Sequence, residues 1–191
     1  GRVKAKLVVF LNAWSLSAGE RARLLAATAG ATRIWCYAPG WFDDDHVSLE
    51  AMRELTGFTF KQVSPNTAKA TLTGAGQRLG LRQPLGVVKP VRPLFCAVDA
   101  GTHEVLATYA DGSAAVAMRR RAEGASLFVG TPGLTSELLR AAAREAGVHL
   151  WTETDCNVYA NGRWVALHAS NDGPVVLNVG QGTPVRGLLT G

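Results

Sequence analysis

Apolar residues fall along this chain in short clusters separated by Gly, Pro, Asn and Asp. Lys6-Leu-Val-Val-Phe-Leu-Asn12 is a brief apolar run rich in β-branched residues, the pattern of a buried strand. Ser17 with Glu20 three residues later is a capping-box spacing, which predicts a helix over 18–29 ending at Gly30. Its expected inner stripe is Ala22, Leu25, Ala26 and Ala29. Thr32 to Ala38 is a second strand, closed by Pro39-Gly40. Strand, capped helix, strand is a βαβ unit and implies parallel pairing. Asp45 or Ser48 opens a further helix that stops at Gly57.

Downstream the period changes. Phe58–Val63, Ala68–Thr73, Phe95–Asp99, Val105–Tyr109, Ala114–Met118 and Ser126–Val129 read as strands, with no crossover helix between them. Asp111-Gly112 is a hairpin signal. Residues 64–93 read as an irregular basic loop, with Gly and Pro concentrated from Gly74 to Pro93. Thr135 caps a helix over 136–146 with Leu138, Leu139, Ala142 and Ala146 inward, stopped by Gly147. Val148–Trp151 follows as a strand, and Asn161-Gly162 centres a hairpin between Cys156–Ala160 and Arg163–His168. Pro174–Val179 and Pro184–Leu188 are expected to close the chain as two more strands. The fold class is therefore α/β: a parallel-sheet domain over 1–151, in which the strand at Ser126–Val129 and the helix over 136–146 join the parallel core of residues 5–57, and a small antiparallel β-domain over 152–191.

Composition narrows the function classes. With 47% hydrophobic and 18% charged residues in 191, the chain is globular. No apolar run approaches a membrane span, so no membrane partner is expected. Cys36, Cys96 and Cys156 are odd in number and far apart, which favours reduced thiols and a reducing, cytoplasmic compartment. The net charge is +5, and no acid lies between Glu54 and Asp99. Lys61, Lys69, Arg78, Arg82, Lys89 and Arg92 fall there, and Arg119-Arg120-Arg121 follows. Singly spaced cations without interleaved aromatics argue against nucleic acid and for a solvated face or an acidic partner surface.

Candidate chemistry gathers where the first two strands end, because ligands of parallel α/β sheets bind beyond the carboxyl ends of the strands. Trp14 leaves the first strand. Trp41, Asp43, Asp44, Asp45 and His46 leave the second. Aromatic rings beside carboxylates suit a sugar or a protein partner. The competing reading is that the Trp rings cover the sheet edge and the Asp run caps the next helix. Three adjacent Asp on one loop cannot flank a glycosidic bond from two sides. Cys36 stands between Trp35 and Tyr37, too large for the small neighbours of a nucleophile elbow. His149 and His168, with Glu153 and Asp155 near, have the types of a metal or proton-shuttling group but lack a ligand spacing, so histidines hydrogen-bonded inside a small β layer are the favoured reading. No cofactor is expected.

Lys6 to Ser17 with Glu20-Arg21, Trp35-Cys-Tyr-Ala-Pro-Gly40, Leu55-Thr-Gly57, Ala146-Gly-Val-His149, Val158-Tyr-Ala-Asn161 and Leu167-His-Ala169 together resemble a known domain. It is the amidotransferase-like domain, with the following β-domain, of large bacterial beta-galactosidases and related glycoside hydrolases. In the trimeric enzymes it is called the trimerisation domain. The resemblance implies a flavodoxin- or amidotransferase-like sheet lacking the family's first strand and helix. It also implies a non-catalytic module acting in subunit assembly or in shaping the sugar site. The partners implied are a catalytic TIM-barrel domain and further copies of the chain. The barrel that holds the family's catalytic glutamates has no counterpart here, so no catalytic residue carries over. The alternatives are a carbohydrate-binding module using Trp14, Trp41 and the Asp run, and an amidotransferase-like hydrolase using Cys36. The strand at Lys6–Phe10 is expected at an open sheet edge, where it would self-associate with help from Trp14 and Trp41.

Overall fold

The computed structural model describes residues 4–122, 124–180 and 182–188. These divide into two compact units, up to Val148 and from His149 onward.

The first unit is built on a six-stranded mixed sheet. Strand β1 (Leu7–Phe10) leads through helix α1 (Ala18–Ala27) to β2 (Thr32–Cys36), which lies parallel beside it. A two-residue-per-strand hairpin, β3 (Phe42–Asp43) and β4 (His46–Val47), precedes helix α2 (Leu49–Thr56). Next come β5 (Phe60–Val63), β6 (Thr71–Leu72), the short helix α3 (Gly74–Arg78), β7 (Leu94–Ala97), β8 (Val105–Thr108), β9 (Ala114–Arg120), β10 (Ala125–Val129) and helix α4 (Ser136–Glu145). The sheet order is β1-β2-β10-β9-β8-β6, with β5 and β7 forming a separate antiparallel ribbon. β10 is parallel to β2, as expected, and antiparallel to β9, so three parallel strands sit within a mixed sheet. The antiparallel strands extend the same sheet rather than forming a layer of their own. Their short turns, such as that at Asp111-Gly112 where Gly112 has φ 82°, allow no crossover helix.

Both faces of the central strands are covered, which is why β10 reads as unbroken Ala-Ser-Leu-Phe-Val and is buried throughout. Alternation along it assigns the faces. Leu127 and Val129 join Ile34 and, from α4, Leu138, Ala141 and Ala142. Phe128 points the other way, toward Met52, Phe58, Phe60 and Phe95. The segment 64–93, expected as a loop, contains α3 and sends Ala68, Ala70, Leu81 and Leu85 into the first cluster. Its backbone is tied by reciprocal bonds between Ala70 and Leu85.

Helix boundaries follow their caps. Ser17 and Glu20 make the reciprocal capping box, with the Ser17 N–H donating to Glu20 Oε2 at 2.9 Å. Ser48 caps α2 and left-handed Gly57 (φ 77°) ends it. The inner stripe of α1 differs from expectation. Ala22 and Ala26 are exposed, and the buried residue is Arg21. Alanine is small enough to sit on either side of a helix, so its spacing carries little orientation.

The Arg119-Arg120-Arg121 run is not a free basic face. Arg119 forks onto Glu104 (Nε–Oε1 2.8 Å, Nη2–Oε2 2.9 Å) and donates to the carbonyl of Gly57. Arg120 pairs with Glu145, and Arg121 donates to the Thr56 carbonyl at 3.0 Å. Two cations thus sit on the last carbonyls of α2, where a helix carries its partial negative charge.

The second unit holds the hairpin β11 (Cys156–Asn161) and β12 (Trp164–Ala169), turned at Gly162 (φ 58°). Neither 148–151 nor 174–179 nor 184–188 forms a strand. Asn178 instead ties back to the start of the unit. Its amide donates to the Trp151 carbonyl at 2.6 Å and its side chain to that of Leu150 at 3.2 Å, while His149 Nε2 donates to the Asn178 carbonyl at 2.9 Å. That bond, and the ring of Trp151 against the imidazole at 4.6 Å, give His149 a structural role.

Candidate functional site

The carboxyl ends of β1 and β2 are laced together by backbone bonds. Gly40 N donates to the Ala13 carbonyl (2.7 Å), Phe42 N to that of Trp14 (2.8 Å), and Leu16 N to that of Phe42 (3.0 Å). Lacing brings four aromatic side chains to one crest. Trp14 lies 5.4 Å from Tyr37, Tyr37 reaches Phe95 at 6.5 Å, and Trp41 packs on Phe95 at 4.7 Å. Trp41, expected at the surface, is half-buried as part of the second core cluster. The exposed apolar surface of the crest belongs instead to Leu11 (59%), Trp14 (41%) and Phe42 (43%).

Tyr37 is the residue that sequence reasoning missed. It sits at φ 67°, in the left-handed region that a bulky side chain rarely adopts. Its N–H bonds to the Val129 carbonyl at 2.8 Å and its hydroxyl donates to that of Pro93 at 2.5 Å. The sharp elbow therefore follows β2 one residue beyond Cys36. Burial pushes the Cys36 thiol up to about 11, which keeps it protonated and a poor nucleophile at neutral pH.

The acidic run is pulled apart. Asp43 turns inward onto Arg21, which contacts both of its carboxylate oxygens (2.7 and 3.3 Å), Glu54 (2.7 Å) and the Leu16 carbonyl (2.8 Å). The Arg21 guanidinium holds the Asp43 carboxyl below the usual carboxylate range. Asp44, with φ 51°, and Asp45 form the exposed tip of the β3–β4 hairpin. His46 is exposed and 4.0 Å from Asp43. Arg21 was findable: it shares a helix face with Leu24, Leu25 and Thr28, so a cation had to enter the interior there.

Asp43 and Glu54 meet on the Arg21 guanidinium, which balances their charge. A cavity of about 580 Å3 lies elsewhere, between β7, β8 and β9. Cys96, Val98, Val105, Thr108 and Ser113 line it, which provides no acid–base pair. Among the described residues no group of three His, Cys, Asp or Glu could hold a metal ion, and no helix is long and apolar enough to cross a membrane. The crest presents the apolar surface of Leu11, Trp14 and Phe42 beside the exposed Asp44, Asp45 and His46.

No protein-family model matches the chain, and no curated protein matches it in sequence. Among solved structures it is similar to the cold-adapted beta-galactosidase from Rahnella sp. R3, with a TM-score of 0.61 and 20% identity. The match covers 80% of this chain and 25% of that one, so the chain spans about a quarter of that enzyme's length. At this identity the likeness is one of fold.

Proposed function

We propose that this chain is a non-catalytic module of a glycoside-hydrolase-related protein, acting in subunit assembly or in walling a sugar site. The observation that carries the reading is the fold likeness: four fifths of this chain corresponds to one quarter of a beta-galactosidase. On this reading the chain is the amidotransferase-like, trimerisation-type segment, and its partners are a catalytic TIM-barrel domain and other copies of itself. The surface it offers is the outer edge of β1 with Leu11, Trp14 and Phe42. A β1 edge supplies unpaired backbone groups, and exposed rings supply apolar area.

Sedimentation across micromolar concentrations tests this. The chain should associate, and Leu11→Lys and Trp14→Ala should each shift it toward monomer. A monomer at every concentration would overturn the assembly role. Incubation with nitrophenyl galactosides and with glutamine should give no turnover. Turnover abolished by Cys36→Ala would replace this reading with a hydrolase, against the raised pKa of that half-buried thiol.

A further inference from the structure

The hairpin β11–β12 has two unlike faces. Cys156, Val158, Val165 and Leu167 are half-buried on one. The other carries Asn157, Tyr159 and Asn161 from β11, opposite His168, Ala166 and Trp164 from β12. All six are exposed. Tyr159 at 65% and Trp164 at 62% stand out farther than Trp14 at the crest. A solvated strand face ordinarily carries charge or Thr. This one carries two rings, two amides and an imidazole, with no carboxylate, Lys or Arg.

The register sets their spacing. Asn161 is directly opposite Trp164 and Asn157 directly opposite His168, pairs whose Cβ atoms lie about 5 Å apart. Tyr159 faces Ala166, so it is the diagonal neighbour of Trp164, roughly 7–8 Å away. Ala166, opposite Tyr159, is the smallest side chain on the face. An uncharged face excludes nucleic acid and other polyanions, which need cations. A purely apolar partner would leave both Asn amides and the imidazole without hydrogen bonds when covered. A pyranose meets both demands. Its C–H face stacks on an aromatic ring, and its equatorial hydroxyls donate to and accept from amides placed beside that ring.

We propose that this face of the hairpin binds a neutral saccharide, with Trp164 and Tyr159 as stacking platforms and Asn157, Asn161 and His168 reading hydroxyls. The saccharide class follows from the face itself; trying galactose-containing polymers first rests on the function proposed above. Native gels cast with soluble β-1,4-galactan, arabinoxylan or β-glucan test it on the full chain. Retardation is expected in at least one polymer, lost in Trp164→Ala and weakened about tenfold or more in Tyr159→Ala, a step of about 1.4 kcal/mol. Trp14→Ala should keep the wild-type ratio of mobility with polymer to mobility without it, whatever its own oligomeric state. Because these side chains are exposed, unchanged circular dichroism is expected for each variant. Retardation by arabinoxylan or β-glucan but not galactan upholds the saccharide face while counting against the galactosidase relationship. Equal mobility in every polymer, or equal retardation of Trp164→Ala and wild type, overturns the proposal. So does sedimentation showing that Trp164→Ala and Tyr159→Ala abolish self-association, because the face is then a protein contact.

Discussion

Replacing Arg119 with Met removes the guanidinium that ties β9 to α2 while keeping much of the aliphatic stem. Four kinds of contact go together: the fork onto Glu104, the bonds to the carbonyls of Gly57 and Asp99 (the latter 3.0 Å), and the stacking over Phe58 at 4.4 Å. Breaking a fully buried ion pair costs about 3–5 kcal/mol. Glu104 is 12% exposed and Arg119 25%, so water recovers part of that. The expected loss is about 2–3 kcal/mol. Arg119→Lys restores the charge but not the planar fork and should recover less than half of it. Urea unfolding followed by fluorescence measures both. The pH dependence has a definite sign. Arg119, and secondarily the Gly101 N–H, holds the Glu104 carboxyl below the ordinary range. This contribution is fully present above the unfolded value of about 4.3 and is lost as pH falls through the lower folded value. The gap between wild type and Arg119→Met should therefore be widest near neutrality and narrow in acid. Asp43 and Asp111, also lowered, are common to both proteins and cancel in the difference. A gap below about 0.5 kcal/mol, the range of ordinary surface substitutions, or one unchanged between neutral and acid pH, would refute the reasoning. It would also return the arginine run to the status of a free basic surface.

Other outcomes follow from the same packing. Ser126→Ala should cost about 1–3 kcal/mol, because the buried Trp35 indole N–H loses its acceptor at 3.2 Å and the Thr56 carbonyl loses one of its two side-chain donors, at 2.6 Å; thermal unfolding checks it. Gly86→Ala should lower stability by roughly 2 kcal/mol or more, since φ is 83° and a Cβ would run into the Ala68 carbonyl and Thr131; calorimetry reads this directly. In maleimide labelling resolved by mass spectrometry, native Cys36 should react slowly at neutral pH and faster as pH climbs toward 11, with urea abolishing its protection. Trp41→Ala should show up as lost stability rather than as a selective loss of association, because its ring rests on Phe95 inside the core.

Much of the architecture was legible where local chemistry dictates it. Ser17 with Glu20, Ser48 with Gly57, Thr135 with Gly147, and Asn161-Gly162 each satisfy or redirect specific backbone groups, and each marks an observed boundary or turn. The joining of Ser126–Val129 to the parallel strands was legible and is observed as the β2–β10 pairing. The rest of the strand order was less legible: nothing local in Ala114–Arg120 says that β9, β8 and β6 will continue the same sheet, because that depends on which faces the whole chain must cover. The segment 64–93 misled because glycines and prolines mask the few apolar side chains, Leu81 and Leu85 among them, that anchor it. At the candidate site, the meeting of the two post-strand loops followed from parallel pairing. The fate of Asp43 did not, since it required Arg21 to be inside. Nor did the left-handed Tyr37, which no propensity favours.

The central position of β2 has a kinetic consequence. One neighbour, β1, is local; the other, β10, arrives about ninety residues later, as the 91-residue separation of Trp35 from Ser126 records. Closing so long a loop is entropically costly before its contacts repay it, so such pairings slow folding. During synthesis the early β1–α1–β2 segment emerges with the backbone at Ile34 and Trp35 lacking the strand that later pairs with it. A nascent chain stalled before Ala125 therefore exposes a parallel, apolar edge on both sides of β1–β2. That is the interval in which a chaperone, or a second nascent copy, competes with the chain's own β10.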